Sequence, residues 1–445
     1  MRVLLVAYNN DSFIHYFPLG LAYIASAFQE AGAEVVIYPQ DKYHYPPEHL
    51  TTYLDSHTFD IVGVGMCAGD YQFQQMTAIS QAVHNARFQP MLILGGHMVS
   101  AAPWYFREKT LADFIFIGES EEGIKTMTMD GLWSTQTKYP LRWGDPVDPD
   151  AHTPAWDLFD MDYYSLLRLP YAENSDRCFP VLSMRGCPFQ CNFCYRMHKG
   201  YRLRDAKMVI NEIQELRLDY HITYIDFADE LLMTSEDRAV EMAQAMKPLG
   251  MKWMCNGRLN YAKKSVLKEM REAGCLFINY GIESTTDSVL KNMHKALTKR
   301  QIITGIEATK AEGISPGLNI IWGNIGDTGK SLWDSVDFLL KYDDQTQMRT
   351  IRPVTSYPGT PLFEEAVKQG KIKDVADFYE NKHIGSNLMT TNFTDCTDDE
   401  FHEELFKANC ELISHYYQKV NESWVRKADN LYHHKDKNFR GFRTI

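Results

Sequence analysis

Along the first 130 residues, short β-branched apolar runs alternate with amphipathic stretches. Residues 2–8 read as a strand, and residues 18–32 as a helix with Pro18 at its start and Gly32 at its end. Residues 34–38 give a second strand. Residues 61–66 give a third, followed by a helix over about 71–87. Residues 91–94 form a fourth, running into Gly95, Gly96 and His97. Residues 114–117 form a fifth, running into Gly118 and Glu119. Five alternations predict a doubly wound parallel sheet over residues 1–130. Such sheets take ligands outside the carboxyl ends of their strands. The loops there are 8–11, 67–70, 95–98 and 118–121, rich in Gly and small residues. No G-x-G-x-x-G follows the first strand, which disfavours a dinucleotide.

Periodicity fades over residues 131–178, where Pro140, Pro146, Pro149, Pro154 and Pro170 mark a long connection. It restarts at 179. Strands are expected near 180–185, 223–228, 252–257, 276–282, 317–323 and 348–355. Helices are expected near 206–219, 234–248, 263–273, 285–293 with 299–312, 330–341 and 360–369. This predicts a second α/β domain over 179–371, built of six strand–helix units. Residues 372–445 read as an amphipathic helical region, clearest over 398–419, placed to cap the open side of that domain.

A chain of 445 residues is long enough for two or three domains with real cores. Its formal net charge of −12 argues against a nucleic-acid or anionic-membrane partner. No apolar stretch reaches the ~20 residues of a membrane span, and the first apolar run is too short for a signal peptide. Nine cysteines, clustered only once, fit a reducing cytoplasm.

That cluster carries the chemistry. Cys187, Cys191 and Cys194 are spaced C-x3-C-x2-C. Three thiolates on one loop hold three irons of a 4Fe–4S cube, whereas four would close it. The fourth iron is then open to a ligand, which points to catalysis rather than electron transfer alone. The alternative is a zinc knuckle with His198 as the fourth ligand.

The loop resembles that of the radical S-adenosylmethionine (SAM) superfamily, with Gly186 before the first cysteine and Phe193 before the last. The order of elements in residues 1–130 resembles the cobalamin-binding domain that precedes many barrels of that superfamily. The resemblance implies a cobalamin-binding-like Rossmann domain, a linker at 131–178 with Trp156 at the junction, and a partial (β/α)6 barrel. It also implies a 4Fe–4S cluster on the three cysteines, with SAM on the open iron and reductive cleavage of SAM to a 5′-deoxyadenosyl radical. SAM contacts are then expected from Phe193, Arg258, Glu283, Ser284, Asp229, Asn319 and Arg352. Cobalamin contacts are expected from Tyr8, Asn9, Cys67, Ala68, Gly95, Gly96, His97, Gly118 and Glu119. No D-x-H-x-x-G motif is present, so base-off cobalamin without a histidine ligand is expected. The implied reaction is C-methylation of an unactivated carbon. Radical cyclisation, dehydration or rearrangement is the alternative, and a non-catalytic iron–sulfur protein the remote one. A small-molecule or peptide substrate and an external one-electron donor, of flavodoxin or ferredoxin type, complete the expectation. The sequence assigns no hydrogen-atom donor or general base.

Overall fold

A computed structural model describes residues 1–11, 14–67, 69–133, 141–439 and 442. The first domain is built on strands β1 (Arg2–Ala7), β2 (Glu34–Pro39), β3 (Ile61–Gly65), β4 (Met91–Gly95), β5 (Phe114–Ile117) and β6 (Leu141–Trp143). All pair in parallel, in the order β2-β1-β3-β4-β5-β6. Chain direction across the sheet reverses at β1, so the crevice between the ends of β1 and β3 is a topological switch point. Five of these strands are the apolar runs expected. β6 lies in the stretch read as linker. Its three residues are too few to show a period, and its place comes from pairing with the edge of β5.

The second domain begins at β7 (Cys178–Val181), earlier and shorter than the expected 180–185. Next comes an antiparallel hairpin, β8 (Met184–Cys187) with β9 (Gly200–Leu203). Five further strands follow: β10 (Tyr224–Phe227), β11 (Lys252–Gly257), β12 (Cys275–Glu283), β13 (Ser315–Trp322) and β14 (Arg352–Pro353). The sheet runs β14-β13-β12-β11-β10-β7, all parallel. The cysteine loop therefore stands on its own hairpin rather than directly on the first barrel strand.

Side chains alternate across these strands. Ile225, Phe227, Trp253, Cys255, Ile278, Tyr280 and Ile282 are buried in the core. Tyr280 Oη meets Thr309 Oγ1 of the helix Lys299–Ala311 at 3.0 Å, so this is the helix-facing side. The opposite, lumen side carries Asp226, Met254, Asn256, Asn279 and Gly281, held side by side by the pairs Asp226–Met254 and Asn256–Asn279.

An aromatic knot joins the domains. The ring of Phe17 lies 4.7 Å from Phe179, 4.8 Å from Phe159, and 5.3 Å from both Trp156 and Tyr164. Trp156 thus packs where the sequence placed it. Beyond the barrel, the helix Asp398–Tyr432 buries Phe401, Leu405, Ala408 and Leu412. Phe401 stacks on Trp322 at 4.2 Å, and Glu404 accepts a hydrogen bond from Trp333 on the helix Gly329–Tyr342. The C-terminal helix therefore lies along the outside of the barrel. No described helix is long and apolar enough to cross a membrane.

Phe17→Ala leaves a cavity among four aromatic rings. A loss of about 3–5 kcal/mol is expected, read as a lower urea midpoint of Trp fluorescence. An unchanged midpoint would mean that the knot does not carry the domain junction.

Candidate active site at the cysteine hairpin

The hairpin is anchored at its entry by two carboxylates, one buried and one exposed. Asp229, just past β10, accepts from Ser183 N at 2.6 Å and from Met184 N at 3.0 Å, and also takes the Ser183 hydroxyl. Burial pushes its pKa up to about 7, against these three donors. Glu230 accepts from Gly186 N at 3.1 Å. Gly186 itself is obligatory. Its φ is +85° and a Cβ would stand 2.5 Å from the Gly200 carbonyl across the hairpin.

Asn192 holds the loop between the second and third cysteines. Its N–H donates to Met293 O at 3.0 Å and its Nδ2 to Asn292 O at 3.2 Å, while its carbonyl accepts from Leu362 N at 2.9 Å. Its side chain and that of the buried Asn324 also exchange hydrogen bonds, at 3.3 and 3.1 Å. The Cys191 and Cys194 thiols are close enough to perturb each other, which lowers the pKa of Cys191 and raises that of Cys194.

Two buried cations stand beside this pair. Lys295 Nζ is 3.0 Å from Glu283 Oε1. Arg258 lies 3.6 Å above the Phe189 ring and donates through Nη2 to Lys295 O and to Ala296 O. Desolvation lowers the pKa of Arg258, and the Cys191 and Cys187 thiols are the first groups that oppose it. Glu283 sits at a bulge in the β12–β13 pairing with φ +65°, a strained conformation for a non-glycine residue. Gly281 leaves room for its carboxylate, because a Cβ there would meet Glu283 Oε1 at 2.2 Å. Lys295 and Asn192 were absent from the sequence reading. They follow no motif, and only the loop 293–296, with left-handed His294 and Ala296, brings Lys295 to the cysteines.

These residues fit a cubane cluster. Among the described residues no three His, Cys, Asp or Glu side chains converge as a single metal ion requires. Thiolates that bind separate irons of one cube need not converge on a point. The Nε of Arg258 is buried without a partner beside the thiols. It awaits an acceptor, which a sulfide or a ligand carboxylate provides.

The other expected SAM residues are dispersed. Phe193 is half-buried on the loop. Ser284 is buried next to Glu283, and its Oγ accepts from Thr286 N at 3.2 Å. Asp229 is committed to Ser183 and Met184 as described, which makes it an anchor of the hairpin. Asn319 is exposed on β13 and donates to Asn279 at 2.9 Å. Arg352 is exposed on β14.

The expected cobalamin loops divide into two groups. Gly65 and Gly95 pair at the ends of β3 and β4, and a Cβ on either would meet nothing closer than 3.7 Å. This open glycine floor suits a flat ligand. Beside it, Cys67 and His97 line a cavity of about 210 Å³ with Tyr195, Tyr357 and Pro358 of the second domain. Burial lowers the His97 pKa, against the pull of Glu230 and Glu119, and keeps the ring neutral. Tyr195 directly follows Cys194, so the cavity spans from the first domain to the cysteine loop. Tyr8 packs beside this core, and Asn9 is tied to Gln40, Asp11 and His44. Ala68 lies outside the described residues.

Gly96 is different. Its φ is +92° and a Cβ would stand 2.4 Å from Met66 O, so its glycine serves the close approach of the loops that follow β3 and β4 rather than ligand access. Gly118 and Glu119 are also occupied. Glu119 takes Arg202 and, at 3.3 Å, Arg185 of the hairpin, while its N–H reaches His198 Nε2 at 3.3 Å. The end of β5 is therefore a clamp on the cysteine hairpin. Neither a charge pattern nor a period announces it, since its partners lie 64 or more residues away in the chain.

Asn192→Ala removes the Nδ2 bond to Asn292 and strands buried Asn324, at about 1–3 kcal/mol for each group left unpaired. The anaerobically reconstituted variant is expected to hold substantially less iron per chain than wild type. Equal iron content would show that the thiols are placed without it.

Comparison with known proteins agrees with this geometry. Residues 181–339 match the radical SAM superfamily, and residues 10–127 match the B12 binding domain. The chain is 27% identical to an uncharacterized methyltransferase of Pyrococcus horikoshii, over 82% of this chain and 83% of that one. It is 24% identical to the bacteriochlorophyllide d C-12(1)-methyltransferase of Chlorobaculum tepidum, over 59% of each chain. Among solved structures it resembles the radical SAM methyltransferase TsrM of Kitasatospora setae, solved with cobalamin and a 4Fe–4S cluster bound. The TM-score is 0.65 at 16% identity, covering 83% of this chain and 75% of that one. It also resembles the cobalamin-dependent SAM radical enzyme OxsB, with a TM-score of 0.62 at 18% identity, covering 96% of this chain and 61% of that one. With its three-cysteine hairpin, glycine-floored first domain and parallel barrel, the chain is a radical SAM enzyme that carries an N-terminal B12-binding domain.

Proposed function

We propose that this enzyme methylates an unactivated carbon of its substrate, with cobalamin as the methyl carrier. One observation carries the reading. The cavity lined by His97 and Cys67 of the first domain is closed on its far side by Tyr195, the residue after Cys194. A methyl carrier and a radical source have to lie within reach of the same substrate carbon, and this cavity joins their two sites. Similarity to methyltransferases of P. horikoshii and C. tepidum supports it.

When bound, the cluster, SAM and cobalamin supply one-electron cleavage of SAM and a transferable methyl group. The chain supplies their setting. Cys187, Cys191 and Cys194 would hold the cluster. Arg258 and Lys295 offset its negative charge in a buried site. Glu283, restrained by Lys295, presents a carboxylate oxygen for the SAM ammonium. The glycine floor at Gly65 and Gly95 would receive the corrin face. The clamp of Arg185 and Arg202 on Glu119 ties the cysteine hairpin to the first domain at the end of β5. A one-electron donor of flavodoxin or ferredoxin type in the cytoplasm completes the system.

Radical cyclisation is the second reading. It is favoured by 26% identity to the anaerobic magnesium-protoporphyrin IX monomethyl ester cyclase of Cereibacter sphaeroides, over 58% of this chain and 41% of that one.

The reduced, reconstituted protein is expected to turn SAM into 5′-deoxyadenosine, and into S-adenosylhomocysteine only when cobalamin is bound. Formation of 5′-deoxyadenosine without S-adenosylhomocysteine would leave cyclisation as the reading. Replacing Cys187, Cys191 or Cys194 by Ala is expected to abolish both products.

Gly281→Ala displaces the Glu283 carboxylate. SAM affinity should fall about ten- to a hundred-fold, the worth of a charge-assisted hydrogen bond of about 1.5–3 kcal/mol, while iron content is kept. Unchanged affinity would remove Glu283 from the SAM site.

A further inference from the structure

The lumen of the barrel is lined by a directional chain of amides. The backbone carbonyl of Asp229 accepts from Asn256 Nδ2 at 2.8 Å. Asn256 Oδ1 accepts from Asn279 Nδ2 at 3.0 Å, and Asn279 Oδ1 from Asn319 Nδ2 at 2.9 Å. A carbonyl only accepts, so it sets the orientation of Asn256 and, through it, of the next two amides. The chain ends on Oδ1 of Asn319, an exposed residue. Gly317, opposite Asn279, keeps the channel clear, because a Cβ there would stand 2.7 Å from Asn279 Oδ1.

Asp226 shares this face, paired in register with Met254 on β11. It is 9% exposed, yet among the described residues its carboxylate takes no hydrogen bond and no ion pair. Other buried carboxylates of the barrel are satisfied. Asp229 has three donors, Asp327 takes Gly323 N, Asn324 N and Ser331, and Asp343 takes Arg349 and Gln345 N. A buried carboxylate without partners is costly and is kept where a ligand completes it. Burial raises its pKa to about 6, so it remains largely ionised at neutral pH. Tyr16 of the first domain is near enough to feel this charge: burial raises the pKa of its hydroxyl, and Asp226 is the next cause.

We propose that Asp226 is the substrate anchor of this enzyme, and that the substrate is a polar molecule presenting a protonated amine to it. The inference rests on the barrel lumen being the substrate site of the proposed reaction. Both the carboxylate of Asp226 and the free Oδ1 of Asn319 are acceptors, so the occupant has to be a donor. A wholly apolar substrate would enclose Asp226 with no partner.

The test uses the full chain, reconstituted without oxygen, and three probes of equal size: n-propylammonium, 1-propanol and propionate. Saturation-transfer NMR should show saturable binding of propylammonium only. Asp226→Asn and Asp226→Ser should each weaken it at least ten-fold, with their folding checked by iron content and circular dichroism. No saturable propylammonium signal, a signal unchanged in both variants, or equal binding of propanol or propionate overturns the anchor. SAM cleavage is measured on the same wild-type preparation. Its absence would strike the proposed reaction, while the probe titration still decides whether Asp226 binds an amine.

Discussion

Three thiols have to be held in fixed positions on eight residues of irregular backbone, and most of the architecture answers that constraint. A loop cannot satisfy its own peptide groups as a helix or strand does. Here the work is done by side chains from elsewhere. Asp229 and Glu230 take N–H groups at the entry, and Asn192 ties the middle to the ends of two helices and to Asn324. These bonds hold the loop at its entry and its middle, and so fix where its cysteines stand.

The same hairpin links the domains. Arg185 reaches Glu121 at 2.7 Å and lies 4.7 Å over the Tyr23 ring, and Glu119 takes both hairpin arginines. With the knot around Phe17, this sets the first domain against the mouth of the barrel at two separated points. Two contacts restrict rotation where one would act as a pivot. Such restriction matters to chemistry that depends on two cofactor sites sharing one cavity.

Charge is distributed to the same end. Arg258 and Lys295 are buried beside the thiols, and among the described residues the carboxylate paired with Lys295 is the strained Glu283. The surplus of positive charge would be costly without a negative guest. It becomes favourable once three thiolates and a reducible cluster are in place. Asp226 reverses the pattern in the lumen, where among the described residues a buried carboxylate has no positive partner.

Strands β1 to β5 and β10 to β13 were legible because each is a short apolar run between turn residues, and burial on both faces demands that composition. The cysteine spacing was legible because cluster ligands on one loop are local in sequence. Trp156 was legible as a junction residue only through the resemblance of its connection to the linker of the radical SAM family. The sequence by itself therefore determined two α/β domains, their order, and the chemistry of the loop between β8 and β9. It did not determine what holds that loop. The side chains of Asn192 and Asn324 and the carboxylate of Asp229 act through partners 45 to 132 residues distant, Glu119 reaches the hairpin arginines 66 and 83 residues on, and Lys295 meets Glu283 only because the loop between them folds back. Gly96 and Gly118 look like ligand glycines along the chain, yet neighbouring backbone and hairpin side chains fill the space beside them. Only the tertiary structure decides such matters, because a polar side chain carries no mark of its partner until two distant segments are packed together.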